Sequence, residues 1–581
     1  MAFVPTLDLH EHTLPGLLRR NAERLPDNDC IVAPEFGVCW SWKEFDRRTS
    51  EVARGMYAMG IRKGDHVAIW STNTPEWMLT MFASAKLGAI LVTVNTNYKQ
   101  FELNYLLNQS DTKMLVMTAG VKNNDYISHI TGLVPALNTE QPDNISCKQL
   151  PFLKRVLLIG DSERRPMGMS RFDDLYEAAK SVPESVVEES IAGLDTHETI
   201  NMQYTSGTTG FPKGVMLTHY NITNNGQFLG DCMKLTEEDR LLIVVPLFHC
   251  FGCVLGVMSC LTHCTTIVLM DHYNPLREMQ ILQDQRCTAV HGVPTMFIGM
   301  LEHPEFDRFD FSRLRTGIMA GSPCPIKTMR DVTGKMHLSE LTITYGQTEC
   351  SPGMTMSRTD DPLELRCTTE PEQSIGKFFG DPPRRYDSAK GPAKLEGCVF
   401  TIDPETGKEV PRGVPGEIVT RGYHVMKGYY KMPEATRQAI DEDGWLHTGD
   451  IGTMDEDGNF RITGRLKDMI IRGGENIYPR EIEEFLYTHP AVSDVQVVGV
   501  PDEKYGEEVC ACVILKKDCT ATKEELIEFV REGLSKFKAP RYVLLMDSFP
   551  MTASGKIQKF KLREMGVDLL GLHAAANIET A

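Results

Sequence analysis

The sequence predicts an α/β protein that ends in a smaller α+β unit. Up to about Arg461, short β-rich runs alternate with helical patterns, which is typical of largely parallel sheets covered by helices. After Gly464 the pattern changes to amphipathic helices interspersed with three strands. The chain has 581 residues, too many for one simple hydrophobic core. We therefore predict two domains, over residues 1–463 and 464–581.

The β-rich runs of the larger part are short and mostly apolar, as expected of strands that are buried on both faces. Because such runs alternate with helical patterns, they predict a parallel arrangement. Four examples are residues 67–70, 90–94, 114–117 and 155–159.

Residues 241–270 contain no Asp, Glu, Lys or Arg and are numerous enough to span a bilayer. The stretch nevertheless includes Pro246, two glycines and two histidines. It divides into a β-rich run, a helical pattern and a second β-rich run, over residues 241–247, 252–261 and 265–270. A buried strand–helix–strand unit is therefore favoured over a membrane helix.

The same stretch holds a cluster of sulfur and imidazole side chains. Cys250 and Cys253 have the spacing of a zinc-ligand pair. Such a site usually needs two ligand pairs on polar turns, whereas these residues lie in an apolar run, so buried packing is favoured over a metal. The cluster comprises His249, Cys250, Cys253, Cys260, His263 and Cys264.

The segment after Gly464 predicts a compact α+β unit. Pro479 is placed to open a helix, since proline is tolerated in a first turn. Thr522 and Glu525 form a capping-box pattern at the start of a second helix. Strands are predicted over residues 495–500, 509–515 and 542–546.

Composition narrows the partners and the compartment. The net charge is −18, and no Lys/Arg-rich run is present, so nucleic acid is not expected as a partner. The N-terminus lacks the pattern of a signal or transit peptide. The 16 cysteines are scattered, which favours reduced thiols. We expect a cytoplasmic protein without a transmembrane segment and with at most peripheral membrane contact.

Residues 204–215, Tyr-Thr-Ser-Gly-Thr-Thr-Gly-Phe-Pro-Lys-Gly-Val, are the strongest local signal. Their glycines, hydroxyl groups and backbone N–H groups can surround phosphate oxygens, and Lys213 adds a positive charge. The spacing is not that of a Walker A loop, because the lysine does not follow the second glycine as that motif requires. A Ser/Thr/Gly-rich surface turn is the alternative.

This loop and five further motifs, in the same order, resemble the adenylate-forming superfamily of acyl-CoA synthetases, peptide-synthetase adenylation domains and luciferases. The resemblance extends from Trp40 to Leu562. It implies two αβαβα layers plus a small β-barrel, followed by a small mobile α+β C-terminal domain. The five motifs are Pro246-Leu-Phe-His249-Cys-Phe-Gly252, Tyr345-Gly-Gln-Thr-Glu349, Trp445-Leu-His-Thr-Gly-Asp450, residues 464–479, and Thr552-Ala-Ser-Gly-Lys556-Ile-Gln-Lys559.

The resemblance implies ATP, Mg²⁺ and coenzyme A as cofactors and substrates, with a carboxylic acid, a small molecule, as the other substrate. Because a carboxylate is a poor electrophile, it first attacks the α-phosphorus of ATP and expels pyrophosphate. Donors and cations that match the developing charge are the main source of catalysis in such transfers. A homodimer is compatible with the resemblance.

The family's nucleotide-binding roles map onto positions of this sequence. Tyr345 would stack on adenine beside the Gly321-Ser322 turn, Thr348 would meet phosphate, and Asp450 would accept hydrogen bonds from the ribose hydroxyls. Arg465 would contact ribose or phosphate. The triphosphate would lie against Thr205, Ser206, Gly207, Thr208, Thr209, Gly210, Phe211, Pro212 and Lys213.

The implied catalytic set is Lys556, Glu349, Thr205 and His249. Lys556 would bridge the carboxylate and the α-phosphate, and it therefore also counts among the ATP-binding residues. Glu349 would hold Mg²⁺. His249 would line the acyl pocket as an aromatic gate rather than act as an acid or base; a packed core histidine is the alternative.

The smaller domain would rotate between two poses about a hinge at Lys467. One pose would deliver Lys556 for adenylation. The other would present Gly473 and Gly474, which have no Cβ and so allow backbone to line a narrow coenzyme A channel.

Within the superfamily, residues 470–479 and 554–563 most resemble the medium-chain acyl-CoA synthetase family member 2 type and its bacterial relatives. An AMP-forming fatty acid–CoA ligase is therefore predicted. Two alternatives are an acyl-AMP ligase that loads a carrier protein and a non-catalytic nucleotide-binding homologue. Residues 378–397 depart from the family pattern and predict a longer loop.

Overall fold

The first two sheets of the protein are largely parallel. This computed structural model describes residues 9–143, 145–206, 211–321, 324, 326–362, 366, 377–378, 397–403, 406–414, 416–456, 458–465, 470–477, 479–517, 519–550 and 559–576. In spatial order, the first sheet contains Lys377–Phe378, Gly353–Met356, Glu340–Gly346, Thr316–Met319, Ala289–Gly292, Arg240–Ile243, Thr266–Leu269, Asp29–Ala33 and Val38–Ser41. The second contains Gly428–Tyr429, Pro212–Thr218, Thr199–Ser206, Ile90–Thr93, His66–Trp70, Thr112–Met117, Arg155–Leu158 and Ser170–Arg171.

The central strands of both sheets pair in parallel. Antiparallel strands lie at both edges of the first sheet and at one edge of the second, whose other edge strand, Ser170–Arg171, is parallel to its neighbour. His66–Trp70 and Thr266–Leu269 are buried at every position, which is why their sequences are apolar without alternation. The four β-rich runs quoted from the larger part all form strands of the second sheet.

Helices connect these strands and cover the sheets. Many begin at a capping residue: Thr74 and Asn274 each accept a hydrogen bond from a first-turn N–H and are followed by proline. Pro75–Lys86 is buried on all sides, as expected of an apolar helix enclosed between layers. The helices of the larger part are Leu14–Arg24, Trp42–Ala58, Pro75–Lys86, Gln100–Gln109, Tyr126–Leu133, Asp174–Ala179, Glu184–Ala192, His219–Met233, Ser259–His263, Pro275–Asp284, Pro294–Leu301, Ile326–Lys335 and Pro433–Ala439.

Residues 241–270 form the predicted strand–helix–strand unit. Strand Arg240–Ile243 leads into a π-helical segment, Phe251–Met258, then helix Ser259–His263 and strand Thr266–Leu269. The cysteines of this stretch are buried, as packing predicts. No helix in the described ranges is both long and apolar enough to cross a membrane.

A four-stranded antiparallel sheet follows the first two sheets in the larger part of the chain. Its strands are, in order, Gly397–Ile402, Gly416–Gly422, Leu446–Met454 and Phe460–Arg465. The last strand pairs Arg465 with Asp450 and continues two residues past the predicted boundary at 463/464. The boundary itself stays a prediction. The departure at residues 378–397 begins and ends in short strands, and its interior lies outside the described residues.

The C-terminal segment is the predicted α+β unit. Its sheet runs Glu475–Ile477, Ile470–Arg472, Gly506–Leu515 and Val492–Asp502, with Tyr542–Leu545 parallel to Gly506–Leu515. The predicted capping box is confirmed, since Thr522 and Glu525 exchange side-chain-to-backbone hydrogen bonds. The helices of this unit are Pro479–Leu486, Lys523–Gly533, Lys559–Leu570 and His573–Ala576.

The buried apolar residues form separate cores in the two parts of the chain. The largest core joins side chains of the first sheet, one face of the second and the helices around them. The C-terminal unit has its own cores, around Val495 and around Val500. The predicted fold class, a large α/β part followed by a smaller α+β part, is confirmed.

Candidate active site

The described residues on either side of the predicted phosphate-binding loop form an antiparallel strand pair, called the hairpin below. Strands Thr199–Ser206 and Pro212–Thr218 pair with Thr205 opposite Lys213, which brings the two predicted side chains to the same end of the hairpin. The ring of Phe211 stacks on Tyr105 with centroids 4.9 Å apart, and the Tyr105 hydroxyl donates to the Pro212 carbonyl. These contacts hold the second strand beside the helix Gln100–Gln109.

One carboxylate links this hairpin to the Tyr345–Glu349 motif. The hydroxyl of Tyr429 donates to Glu349 Oε1 at 2.8 Å, and Thr205 Oγ1 lies 3.4 Å from the same oxygen. The ammonium of Lys213 lies 4.6 Å from the centre of the Tyr429 ring. A cation, a carboxylate and a hydroxyl are thereby held around the end of the hairpin.

The donor set at Glu349 fits magnesium that arrives with a nucleotide. Magnesium keeps several waters and is usually held by one or two carboxylates together with substrate phosphates. Glu349 offers one carboxylate beside the hydroxyl of Thr205. Among the described residues no group of three or more His, Cys, Asp or Glu side chains could hold a metal ion. Waters and phosphate oxygens would supply the remaining ligands.

Tyr345 and Asp450 meet directly. The Tyr345 hydroxyl donates to Asp450 Oδ2 at 2.8 Å. Burial and the neighbouring Asp450 charge raise the pKa of Tyr345 well above its usual range, so the phenol keeps its proton and remains a donor. The contact joins the end of strand Glu340–Gly346 to strand Leu446–Met454, and it orients the two side chains toward each other.

Two predicted glycines approach each other across the two parts of the chain. A Cβ on Gly474 would lie 3.0 Å from Val293 Cγ1 and 3.8 Å from the Gly321 carbonyl oxygen. Gly321 and Gly474 also have φ of +88° and +87°, which disfavours a side chain at either position. The backbone N–H of Gly473 donates a hydrogen bond to the carbonyl oxygen of Tyr505. The turn at 473–474 is thus seated against the Gly321 loop.

A cavity lies where these parts meet. From the larger part it is lined by predicted residues Thr205, His249 and Thr348. From the C-terminal unit it is lined by Gly474, Glu475, Phe537 and Lys538. The cavity therefore joins the hairpin, the predicted acyl-pocket histidine and the predicted coenzyme A side.

The hydrogen bonding of His249 determines which of its ring nitrogens carries the proton. Its Nδ1 accepts a hydrogen bond from the backbone N–H of Phe251 at 3.1 Å, so the neutral ring carries its proton on Nε2. Burial lowers the pKa of His249, although the charge of Glu475 opposes the shift. A neutral ring with no free acceptor nitrogen is suited to forming a wall of the cavity rather than to accepting a proton.

Several predicted residues are not described. The structure gives only the backbone of Ser206 and Arg465. Outside the described residues lie Gly207, Thr208, Thr209, Gly210, Ser322, Lys467 and Lys556. Their roles stay predictions.

The sequence analysis missed three residues that contribute to the site. Tyr429, which contacts both Glu349 and Lys213, lies in a short Gly-Tyr-Tyr run without a local signal of its role. Glu475 directly follows the predicted glycine pair, and burial raises its pKa. Lys538 looks like a surface lysine in sequence but is buried.

Comparison with known proteins gives the family. The model of the AMP-binding enzyme family matches residues 18–430, most of the chain. The chain is an AMP-binding enzyme. The model of the AMP-binding enzyme C-terminal domain matches residues 481–556. The predicted family is confirmed, and so is the prediction that the protein is an enzyme.

Proteins similar to this AMP-binding enzyme align with almost the whole of its length. The acyl-CoA synthetase YngI of Bacillus subtilis is 48% identical over 98% of this chain and 100% of its own. The mitochondrial medium-chain acyl-CoA ligase ACSF2 of Bos taurus is 37% identical over 96% of this chain and 88% of its own. The structure of the Mycobacterium tuberculosis fatty acyl CoA synthetase is similar with a TM-score of 0.65, 27% identity, and coverage of 96% and 99% of the two chains.

We expect His447, which lies within the motif Trp445–Asp450 of this AMP-binding enzyme, to make stability depend on pH. A hydrogen bond with Glu417 raises its pKa against the effect of burial, and the charges of Glu417 and Asp441 add to the shift. A histidine whose pKa is raised by folding contributes its full stabilisation at pH values below its unfolded-state pKa of about 6.5. That stabilisation is lost as the pH rises through the folded-state pKa.

The variant His447→Asn should therefore unfold at a lower temperature than the native protein at pH 5.5, by on the order of 1 °C, because the side chain is partly exposed and the chain is long. The difference should shrink at pH 8.5. Thermal unfolding at both pH values measures it, with His272→Asn, a more exposed histidine beside Asp271, as control. A difference that is equal at both pH values would contradict the prediction.

Proposed function

We propose that this protein is an ATP-dependent acyl-CoA synthetase that activates a fatty acid, of medium chain length, through an acyl-adenylate and transfers it to coenzyme A. The observation that carries the proposal is the shared cavity. Thr205 and Thr348 of the predicted ATP site, His249 and Gly474 all line it. A carboxylate held there would be within reach of an ATP site on one side and of a thiol channel on the other.

In the first half-reaction a carboxylate oxygen attacks the α-phosphorus, the bond to the β-phosphate oxygen breaks, and pyrophosphate leaves. Lys213 and the donors of the hairpin would hold the triphosphate, and Asp450 would hold the ribose. Glu349 would hold magnesium, which supplies positive charge to the phosphate oxygens when bound. Lys556 would meet the attacking carboxylate and the α-phosphate.

In the second half-reaction the thiol of coenzyme A loses its proton, its sulfur attacks the acyl carbonyl, and AMP leaves with the bridging oxygen. The C-terminal unit, as residues 464–581, would turn about Lys467 between the two steps. The contact of Gly474 with Val293 and Gly321 supports assigning the described pose to this second step.

The acid, the compartment and the assembly are further parts of the proposal. The name of the mycobacterial relative supports a fatty acid, and the name of the bovine relative supports an acyl group of medium length. A cytoplasmic location stays a prediction. A homodimer stays a prediction.

The test is carboxylate-dependent exchange of labelled pyrophosphate into ATP, with acetate, octanoate and palmitate as acids. We expect the highest kcat/KM for octanoate, together with AMP release and loss of the free thiol of coenzyme A. Absence of exchange with every acid would reject the enzyme. Exchange without thiol loss would instead indicate a ligase that loads a carrier protein.

A further inference from the structure

A buried lysine of the C-terminal unit bridges two glutamates that belong to different parts of the chain. Lys538 Nζ lies 2.8 Å from Glu102 Oε1 and 2.7 Å from Glu481 Oε1. All three side chains are almost fully buried. Glu481 belongs to the same unit as Lys538, whereas Glu102 lies in helix Gln100–Gln109 of the larger part.

A second donor from the same turn reaches the same carboxylate. The Ser535 hydroxyl lies 3.0 and 3.1 Å from the two oxygens of Glu102, and 3.0 Å from the Asn97 carbonyl oxygen. Glu102 also accepts a hydrogen bond from the backbone N–H of Lys99, and this bond caps the helix to which Glu102 belongs. Two donors of the C-terminal unit thus converge on a carboxylate that its own helix already orients.

We propose that Glu102, Ser535 and Lys538 form an interdomain latch that stabilises the pose in which the 473–474 turn faces the cavity. They are positioning residues for thioester formation. The inference rests on the proposed function and on its two poses. The new element is the set of residues that favours one pose over the other.

The latch can select a pose because its contacts differ between poses. If the C-terminal unit rotates, Glu481 moves with Lys538 and their ion pair is kept, whereas the contacts to Glu102 are broken. A contact shifts a conformational equilibrium only by the free energy that distinguishes the two states. The Lys538–Glu481 ion pair therefore does not shift this equilibrium, whereas the contacts to Glu102 favour the described pose.

The electrostatics keep the latch charged. Burial alone would lower the pKa of Lys538, but the carboxylates of Glu102 and Glu481 raise it above its ordinary value. The lysine is therefore an ammonium at neutral pH. In the described pose Glu102 is buried with this ammonium as its partner, so removing Lys538 leaves the Glu102 carboxylate without an ionic partner. Removing Glu102 leaves Lys538 paired with Glu481 alone.

The latch is also adjacent to the cavity. Lys538 and Phe537 line the cavity on the same side as Gly474 and Glu475. A nearby ring contact, Phe101 with Phe485, joins the same two parts with centroids 6.4 Å apart. Fixing residues 535–538 against Glu102 thus holds that wall of the cavity in place.

The experiment measures the two half-reactions separately. In Glu102→Gln we expect thioester formation from supplied acyl-adenylate and coenzyme A to fall about tenfold, within the range typical of coupling between sites. Carboxylate-dependent pyrophosphate exchange should stay unchanged or rise. Glutamine keeps an acceptor for the Lys99 N–H, so the helix cap survives. Ser535→Ala should show the same asymmetry, reduced to a few-fold.

The control is Lys536→Met, an exposed lysine of the same turn, which should change neither half-reaction. Thermal unfolding identifies any variant that fails to fold, and Ser535→Ala then carries the test. Equal loss of both half-reactions in folded variants, or no loss in either, would overturn the latch. Lack of exchange in the native protein would instead reject the proposed function, so the two failures are distinguishable.

Discussion

Replacing Lys556 with alanine is expected to reduce acyl-adenylate formation by at least about a hundredfold while largely sparing the second half-reaction. Loss of one group that stabilises charge in a transition state typically has an effect of this size. The lysine would act on the attacking carboxylate and the α-phosphate, and neither bond change there recurs during thiol attack. Pyrophosphate exchange and thioester formation from supplied acyl-adenylate measure the two steps.

The matched control for Lys556→Ala is Lys536→Ala, which removes an exposed lysine of the same unit. It should leave both rates within a factor of about two, as expected for a surface substitution. If Lys556→Ala reduced both half-reactions to the same extent, the assignment of this lysine to the first step alone would be wrong. The latch variant Glu102→Gln should show the opposite asymmetry, so the two variants test the two poses from both sides.

Replacing Glu349 with glutamine is expected to lower pyrophosphate exchange on the order of a hundredfold, because the neutral amide holds magnesium weakly beside the phosphates. Raising the magnesium concentration should recover part of the loss. Recovery should not occur in Lys556→Ala, where the missing charge belongs to the protein. Exchange assayed across a magnesium series distinguishes the two variants.

Tyr429→Phe is the control for Glu349. It removes the hydroxyl that donates to Glu349 Oε1 but keeps the carboxylate and the ring beside Lys213. We expect a decrease of only a few-fold, since the carboxylate loses one orienting hydrogen bond. A loss in Tyr429→Phe as large as that in Glu349→Gln would show that the carboxylate's orientation, rather than its charge, is decisive.

The sequence determined the features that depend on neighbouring residues. Apolar runs such as residues 67–70 specify buried strands, and Thr522 with Glu525 specifies a helix start, because periodicity and capping act within one or two turns of the chain. The segment from Thr205 to Lys213 carries its glycines and hydroxyls next to one another, so a phosphate-binding loop could be predicted there from sequence. The order of six such segments also identified the family.

Only the tertiary structure decided which of these segments meet. Lys538 and Glu102 are 436 residues apart, and no local pattern marks either as buried or as a partner of the other. Tyr429 likewise acquires its contacts to Glu349 and Lys213 through the pairing of its strand with the hairpin. Such contacts depend on how sheets and domains pack, and the free energy that makes a buried charge tolerable comes from partners distant in sequence.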